Sequence, residues 1–406
     1  MTSYRNSLFL IASFLLVFSS GSSAATWRVP EDFGDIQAAL DAAEPGDTVL
    51  VAAGTYTREL QPSPLDFVQT RYIMPSGVVL AGATGNPDEV ILDGQGHGRV
   101  VTCEEGAVGI VIRDLTLTGG NTTFYGPTDG AGGGLACWDS EVTLENCVLR
   151  HNETGWKNEG GGAGAYLGGG EMLIRDCLFL ENIATNAGGL MLAGVYGRVE
   201  DCVFEGNSAS SAGGLAVAFG PGDTPSEVTV AHCIFERNIA SSFGAGATVW
   251  QWCTARFEQC LFLENAAELQ SGGALRVGDA DVTLQSCRFE GNTAGTEGGA
   301  IYCAYWSGPT STLDVLDCTL VDNAAGVSGG AIHLLSGAVL EGWNTDFAGN
   351  DSPAGADGSV VAGGEVLLAC CLTNPGLWAG TIILDNSDCA VGTESTTWGG
   401  VKALFR

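Results

Sequence analysis

Residues able to do chemistry are thinly spread along this chain, and one alignment of them stands out. After the glycine pairs Gly272-Gly273, Gly298-Gly299 and Gly329-Gly330, the second and fourth residues are apolar: Leu275 and Val277, Ile301 and Cys303, Ile332 and Leu334. Alternation along a strand then turns the third residue to the opposite face, toward solvent. That residue is Arg276, Tyr302 and His333 in turn. If these stretches stack as neighbouring strands, a guanidinium, a phenol and an imidazole form one line at steps of roughly 4.8 Å. Tyr305 and Trp306, in the stretch 304–312, extend it. Aromatic faces stack on the C–H faces of sugars, and Arg and His nitrogens hydrogen-bond hydroxyls. Arg276, Tyr302, Tyr305, Trp306 and His333 therefore read as a carbohydrate-binding row. Catalysis through this row is not expected.

The element that must position this row is a repeat. Cys147, Cys177, Cys202, Cys233, Cys260, Cys287 and Cys318 are each followed five residues later by an asparagine: Asn152, Asn182, Asn207, Asn238, Asn265, Asn292 and Asn323. Both series step by 30, 25, 31, 27, 27 and 31 residues, and a degenerate eighth copy keeps Phe347 and Asn350 without the cysteine. A period of this size means stacked units that bury a face only against their neighbours. Each unit is built of short strands such as Val282-Thr283-Leu284, punctuated by Gly and Asn, with no 3.6-residue periodicity. The expectation is an all-β right-handed parallel β-helix of about twelve coils. Cys and Phe point inward as columns, and each Asn bonds the next one across a turn, where an unpaired amide would cost on the order of 1–3 kcal/mol. The Gly pairs supply positive φ at the following bend. Stacked cysteines at roughly 4.8 Å spacing have parallel Cβ vectors, which suits buried thiols better than disulfides. Outside the ladder, a Cys370–Cys389 bridge is an open possibility.

Bulk properties bound the partners. Arg5, the apolar stretch from Leu8 to Phe18 and the small residues through Ala25 read as a secretory signal over residues 1–25. Its removal takes one positive charge from a net of −31, giving −32. Such acidity argues against nucleic acid and anionic lipid as partners and makes a polyanionic glycan less comfortable. No later stretch is apolar enough to span a membrane as a helix. No cofactor is expected; the acidity alone leaves calcium open, without a motif behind it. The chain is expected to be a monomer.

At the N-terminal end of the mature chain, Asp35 is placed to cap a helix from about Ile36 to Glu44 that Pro45-Gly46 ends. A helix there plugs the open end of a solenoid. The stretch 26–56, with its Ile36-Gln37…Ala39-Leu40 helix before Gly46-Asp47-Thr48-Val49 and Gly54-Thr55-Tyr56, resembles the N-terminal cap of pectin-lyase-like parallel β-helix proteins. The F-x-x-N and G-G-A-I elements, clean at Phe204 to Asn207 and Gly298 to Ile301, resemble repeats of chlamydial polymorphic outer-membrane proteins. That resemblance covers residues 26 to about 350 and implies fold; the superfold carries lyases, hydrolases, adhesins and passive stalks alike. The outer-membrane family has a long C-terminal barrel, and with about fifty residues after the last repeat none is expected here. Residues 26–390 are read as one β-helix, with 26–46 as cap and 147–350 as the clearest repeats. The tail 391–406, with Thr397-Trp398-Gly399 and Lys402 before a final Leu404-Phe405-Arg406, resembles sorting signals of exported Gram-negative proteins; a capping segment whose Leu404 and Phe405 cover the last coil is the alternative.

Two fragments echo polygalacturonases, Gly96-His97-Gly98 and Asn344-Thr345-Asp346, but in reversed order and without the family's D-D and R-I-K elements. Gly54-Thr55-Tyr56 with Glu59 echoes pectinesterases, whose catalytic motifs are missing. The reading is a secreted or cell-surface β-helix that binds or displays, toward carbohydrate and without turnover. A polysaccharide lyase or hydrolase is the first alternative, a passive stalk the second. Further aromatics, Trp138, Tyr166, Tyr196, Phe219, Trp250 and Trp252, fall in turns and would form a ridge along one edge if a third of them are exposed.

Overall fold

A computed structural model describes residues 23–385, apart from 124–129, 156–160, 305–310, 362–363, 370, 372, 374 and 381. The signal segment through residue 22, the tail 391–406, Cys370 and Cys389 therefore lie outside the described residues, as do Tyr305 and Trp306. The chain winds as a right-handed parallel β-solenoid of about eleven turns, one fewer than the repeat spacing suggested. Three long sheets run its length. Sheet A has fourteen strands from Thr26–Val29 to Ile383–Asp385, sheet B eleven from Gly54–Tyr56 to Asp346–Ala348, and sheet C thirteen ending at Trp378–Ala379. A fourth, sheet D, holds five short strands from Ser208–Ser211 to Ala324–Ala325 between B and C. Successive strands pair in parallel, except that Gln61–Pro62 runs antiparallel to Gln69–Met74.

The helix Ile36–Ala42 closes the N-terminal end as expected. Asp35 accepts a hydrogen bond from the Ala38 amide at 3.1 Å, and Ile36, Ala39 and Leu40 face the core. It stops two residues earlier than the sequence suggested, because Ala43 already leaves the helical region ahead of Pro45.

The repeat residues form the columns anticipated. Each ladder asparagine bonds its neighbours fully: the Asn182 Nδ2 donates to Leu149 O at 2.8 Å and to Asn207 Oδ1 at 2.9 Å, while the Asn182 amide donates to that same oxygen. Buried amides satisfied on both sides cost nothing in unmade bonds. Phe179, Phe204, Phe235, Phe262 and Phe289 stack with ring centroids 4.5 to 4.8 Å apart and nearly parallel. The Gly pairs do more than permit positive φ. Gly298 has φ +64°, whereas Gly299 is needed for close approach, since a Cβ there would lie 2.1 Å from Gly330 O of the next coil.

The seven ladder cysteines are free and buried. Burial pushes the thiols of Cys147, Cys177, Cys202, Cys287 and Cys318 well above the usual range. The eighth position of the column is Thr345, whose Oγ1 donates to Val315 O and Trp343 O at 3.1 Å, as the thiols do to their own carbonyls. One bridge does join adjacent coils, Cys103–Cys137, between neighbouring strands of sheet C in the core and outside the ladder; the spacing argument did not anticipate it. Ten described cysteines are free. Thiol labelling should accordingly be slow in the native protein and, after unfolding without reductant, should count at least those ten. Pairing of ladder cysteines between coils would instead leave far fewer and make stability depend sharply on reductant.

Candidate functional site

Sheet C brings Arg276, Tyr302 and His333 into one register, Arg276 opposite Tyr302 and Tyr302 opposite His333. They point away from the core, as alternation requires, but they do not face solvent. Tyr302 is 6% and His333 5% exposed, and Arg276 is half-buried. The reason is a second layer. The segment that leaves sheet D turns tightly at a left-handed residue and lies over the outer face of sheet C before entering it. The Phe243 ring stacks 6.0 Å from Tyr302, and the Arg276 guanidinium lies 4.7 Å over Phe243 and 5.6 Å over Trp250. Tyr302 stacks on His333 at 5.6 Å, and the His333 Nδ1 contacts the hydroxyls of Ser328 and Ser359. On earlier coils Ala187 and Ala212 pack on Ala216 in the same layer. Burial shifts each group toward its neutral form: Arg276 is lowered to about 10, Tyr302 raised to about 12 and His333 lowered from the ordinary histidine value. Stacked and covered, the three hold two layers together and offer no open ring face to a sugar.

The exposed aromatics lie on the edge where sheet C turns into sheet A. Tyr196, Phe219 and Trp252 are 47%, 36% and 47% exposed on three consecutive coils, Tyr196 at the start of its sheet A strand and the other two in the C-to-A connections. Phe219 and Trp252 approach to 6.2 Å, and nearer the N-terminus Trp138 lies 4.8 Å from Tyr166. Half of the six turn aromatics singled out in the sequence are thus exposed, which is enough for the ridge.

Beside Tyr196, sheet A carries a shallow groove of about 520 Å³ lined by Glu141, Thr143, Glu171, Leu173, Tyr196 and Arg198 among others. Within the strand that carries Tyr196 and Arg198, Gly197 takes the inward position, and a Cβ there would meet Met172 O at 1.9 Å. Pairing sets Glu171 beside Tyr196 and Leu173 beside Arg198 on adjacent strands. Glu141, Glu171, Tyr196 and Arg198 are all exposed, and Arg198 is paired with Glu200. Apart from Tyr196, these residues were not singled out in the sequence. The parity rule applied to sheet C would have marked Tyr196 and Arg198 as outward in Tyr196–Glu200, but nothing in a linear pattern marks a groove.

The two fragments that echo hydrolase motifs lie on widely separated coils. Asn344 donates to the Asp317 carboxylate at 2.7 Å, Thr345 fills the cysteine column, and burial raises the Asp346 carboxyl above its ordinary value. His97, on a turn at the other end, contacts Gln95 O. Among the described residues no group of three or more His, Cys, Asp or Glu is arranged to hold a metal ion, and no helix is long and apolar enough to cross a membrane.

Comparison with known proteins agrees with this architecture. A family profile described as right handed beta helix region matches residues 89–262, and one described as the Chlamydia polymorphic membrane protein repeat matches residues 286–304. No curated protein sequence matches the chain. Among solved structures, the A-module of Azotobacter vinelandii mannuronan C-5 epimerase AlgE6 is similar at 16% identity, covering 86% of this chain and 99% of that one, with a TM-score of 0.51. The tailspike protein gp49 of Acinetobacter baumannii bacteriophage Fri1, a capsular polysaccharide depolymerase, is similar at 12% identity, covering 94% of this chain and 65% of that one, with a TM-score of 0.46. At 16% identity the likeness to the epimerase module is one of fold.

Proposed function

We propose that this chain, a pectin-lyase-like right-handed parallel β-helix with repeats similar to those of chlamydial polymorphic membrane proteins, is an exported surface protein that binds carbohydrate along the edge between sheets C and A without turning it over. The observation that carries this reading is the run of exposed aromatics, Tyr196, Phe219 and Trp252, on consecutive coils beside the groove of sheet A. Exposed rings set along a rod suit the stacking faces of an extended glycan, and the groove supplies carboxylate and guanidinium groups for its hydroxyls. By sequence, Tyr305 and Trp306 fall in the connection between Ile301–Ala304 and Thr312–Leu316, two coils further along this edge, and are proposed as its continuation. Export rests on the signal-like segment 1–25 and surface display on the kinship of the repeats; both are part of the proposal. No cofactor enters it.

Replacing Tyr196 and Trp252 together with Ala should weaken binding to a glycan identified on an array by about 1–3 kcal/mol, roughly 5- to 150-fold, as for hot-spot aromatics. The fold should survive, because exposed positions carry little core energy. A double variant that binds as well as the parent would remove the edge from consideration.

One observation favours the catalytic alternative, a polysaccharide lyase or hydrolase: Glu141, Glu171 and Arg198 share one groove. All three are open to water, whereas electrostatic stabilisation of a transition state gains most where water is excluded. Incubation with pectate, alginate and neutral polysaccharides, with and without calcium, decides between the two. Reproducible unsaturated or newly reducing ends would establish turnover.

A further inference from the structure

We infer that the glycan taken by this surface is uncharged and that polyuronides are excluded from it. The inference rests on the carbohydrate-binding reading above and concerns only the class of sugar. Its ground is the disposition of positive charge. The chain has a net charge of −31 with only sixteen Lys and Arg. Both lysines, Lys157 and Lys402, lie outside the described residues. Of the twelve described arginines, ten sit within ion-pairing distance of a carboxylate: Arg28, Arg58, Arg99, Arg113, Arg150, Arg175, Arg198, Arg237, Arg256 and Arg288. The other two are not exposed: Arg71 is buried and donates to Gly94 O, and Arg276 lies beneath the layer that covers sheet C. No exposed arginine among the described residues therefore lacks a carboxylate beside it.

The groove shows the same balance on a small scale. Its one arginine, Arg198, is bonded to Glu200, while Glu141 and Glu171 stand exposed on its other strands. Along the same rim of sheet A the register runs Glu171, Tyr196, Glu227, Thr254, Asp281, so acids flank the exposed ring on both sides. A uronate laid against Tyr196 would bring its carboxylate within the roughly 8 Å screening length of several like charges at physiological salt. It would have to break an existing ion pair to find a cation. Repulsion of this kind acts as selection against the wrong ligand. Hydroxyls of a neutral sugar meet the opposite situation, since a carboxylate accepts two of them and the tyrosine ring stacks on their carrier.

Affinity electrophoresis of the full chain through gels holding one polysaccharide each tests this, with glucan, mannan, galactan and xylan as neutral probes and pectate and alginate as charged ones. The series is run in chelator and again in calcium. The expected result is retardation by at least one neutral polymer with an affinity at least tenfold above either polyuronide under both conditions. Binding of pectate or alginate as tight as the best neutral polymer, with or without calcium, overturns the inference and leaves the carbohydrate reading standing. Retardation by none of the six removes both.

Discussion

Asn238→Ala should destabilise the β-helix by about 4 kcal/mol, which makes it one of the two most damaging single changes to expect in this chain. Asn238 is fully buried in the middle of the ladder. Its Oδ1 accepts from the Asn207 amide and from Asn207 Nδ2, both at 3.0 Å, and its Nδ2 donates to Phe204 O at 2.8 Å and Asn265 Oδ1 at 3.0 Å. Truncation strands both Asn207 donors and the Phe204 carbonyl where no water reaches them, and each buried group left unsatisfied costs about 1–3 kcal/mol. Because a solenoid is stabilised by the interfaces between neighbouring units, the loss concentrates at that pair of coils. Hydrogen exchange should show faster opening around residues 204–240 than elsewhere, and the denaturation midpoint should fall. Glu227→Ala, on the exposed face of sheet A, serves as the control and should stay within about 0.5 kcal/mol. Equal effects from the two would mean that the ladder contributes little.

Phe235→Ala is the second. The ring is fully buried, stacked on Phe204 at 4.8 Å and on Phe262 at 4.6 Å, with Phe257 edge-on at 6.3 Å. Removing a buried Phe side chain costs about 3–5 kcal/mol. Stacked aromatic pairs add about 0.5–1.5 kcal/mol beyond area burial. The backbone of a coil cannot collapse into the gap, because its neighbours hold it in register at the strand spacing on both sides. Phe235→Leu keeps most of the volume and should cost less than half as much. Urea denaturation of the two variants separates the possibilities. If Leu and Ala are equally harmful, the stack matters through its ring geometry; if both are mild, the column is not well packed.

Much of this architecture could be read along the chain. A Cys and an Asn at fixed separation, recurring every 25 to 31 residues, already imply stacked coils with inward columns. The inward direction of Phe and Cys, the amide ladder and the capping helix after Asp35 are consequences of local periodicity, in which every coil repeats the same environment. The outward direction of Arg276, Tyr302 and His333 was also correctly given by alternation.

What alternation could not convey is whether anything lies over the outward face. Parity is a property of one strand, whereas cover comes from a segment of another coil, and the fold-back of the sheet D segments onto sheet C is decided by packing of residues such as Phe243 on Tyr302 and Ala212 on Ala216. The Cys103–Cys137 bridge is of the same kind, as it depends on how one pair of adjacent coils is packed rather than on the repeat. The groove of sheet A likewise depends on outward side chains of several neighbouring coils, Glu141, Glu171, Leu173 and Arg198 among them. Sequence by itself determined the coil, its columns and the face each repeat residue takes, because these follow from one- and two-residue periods. Tertiary structure alone decided which outward faces meet water, because exposure depends on chain segments that the period does not relate.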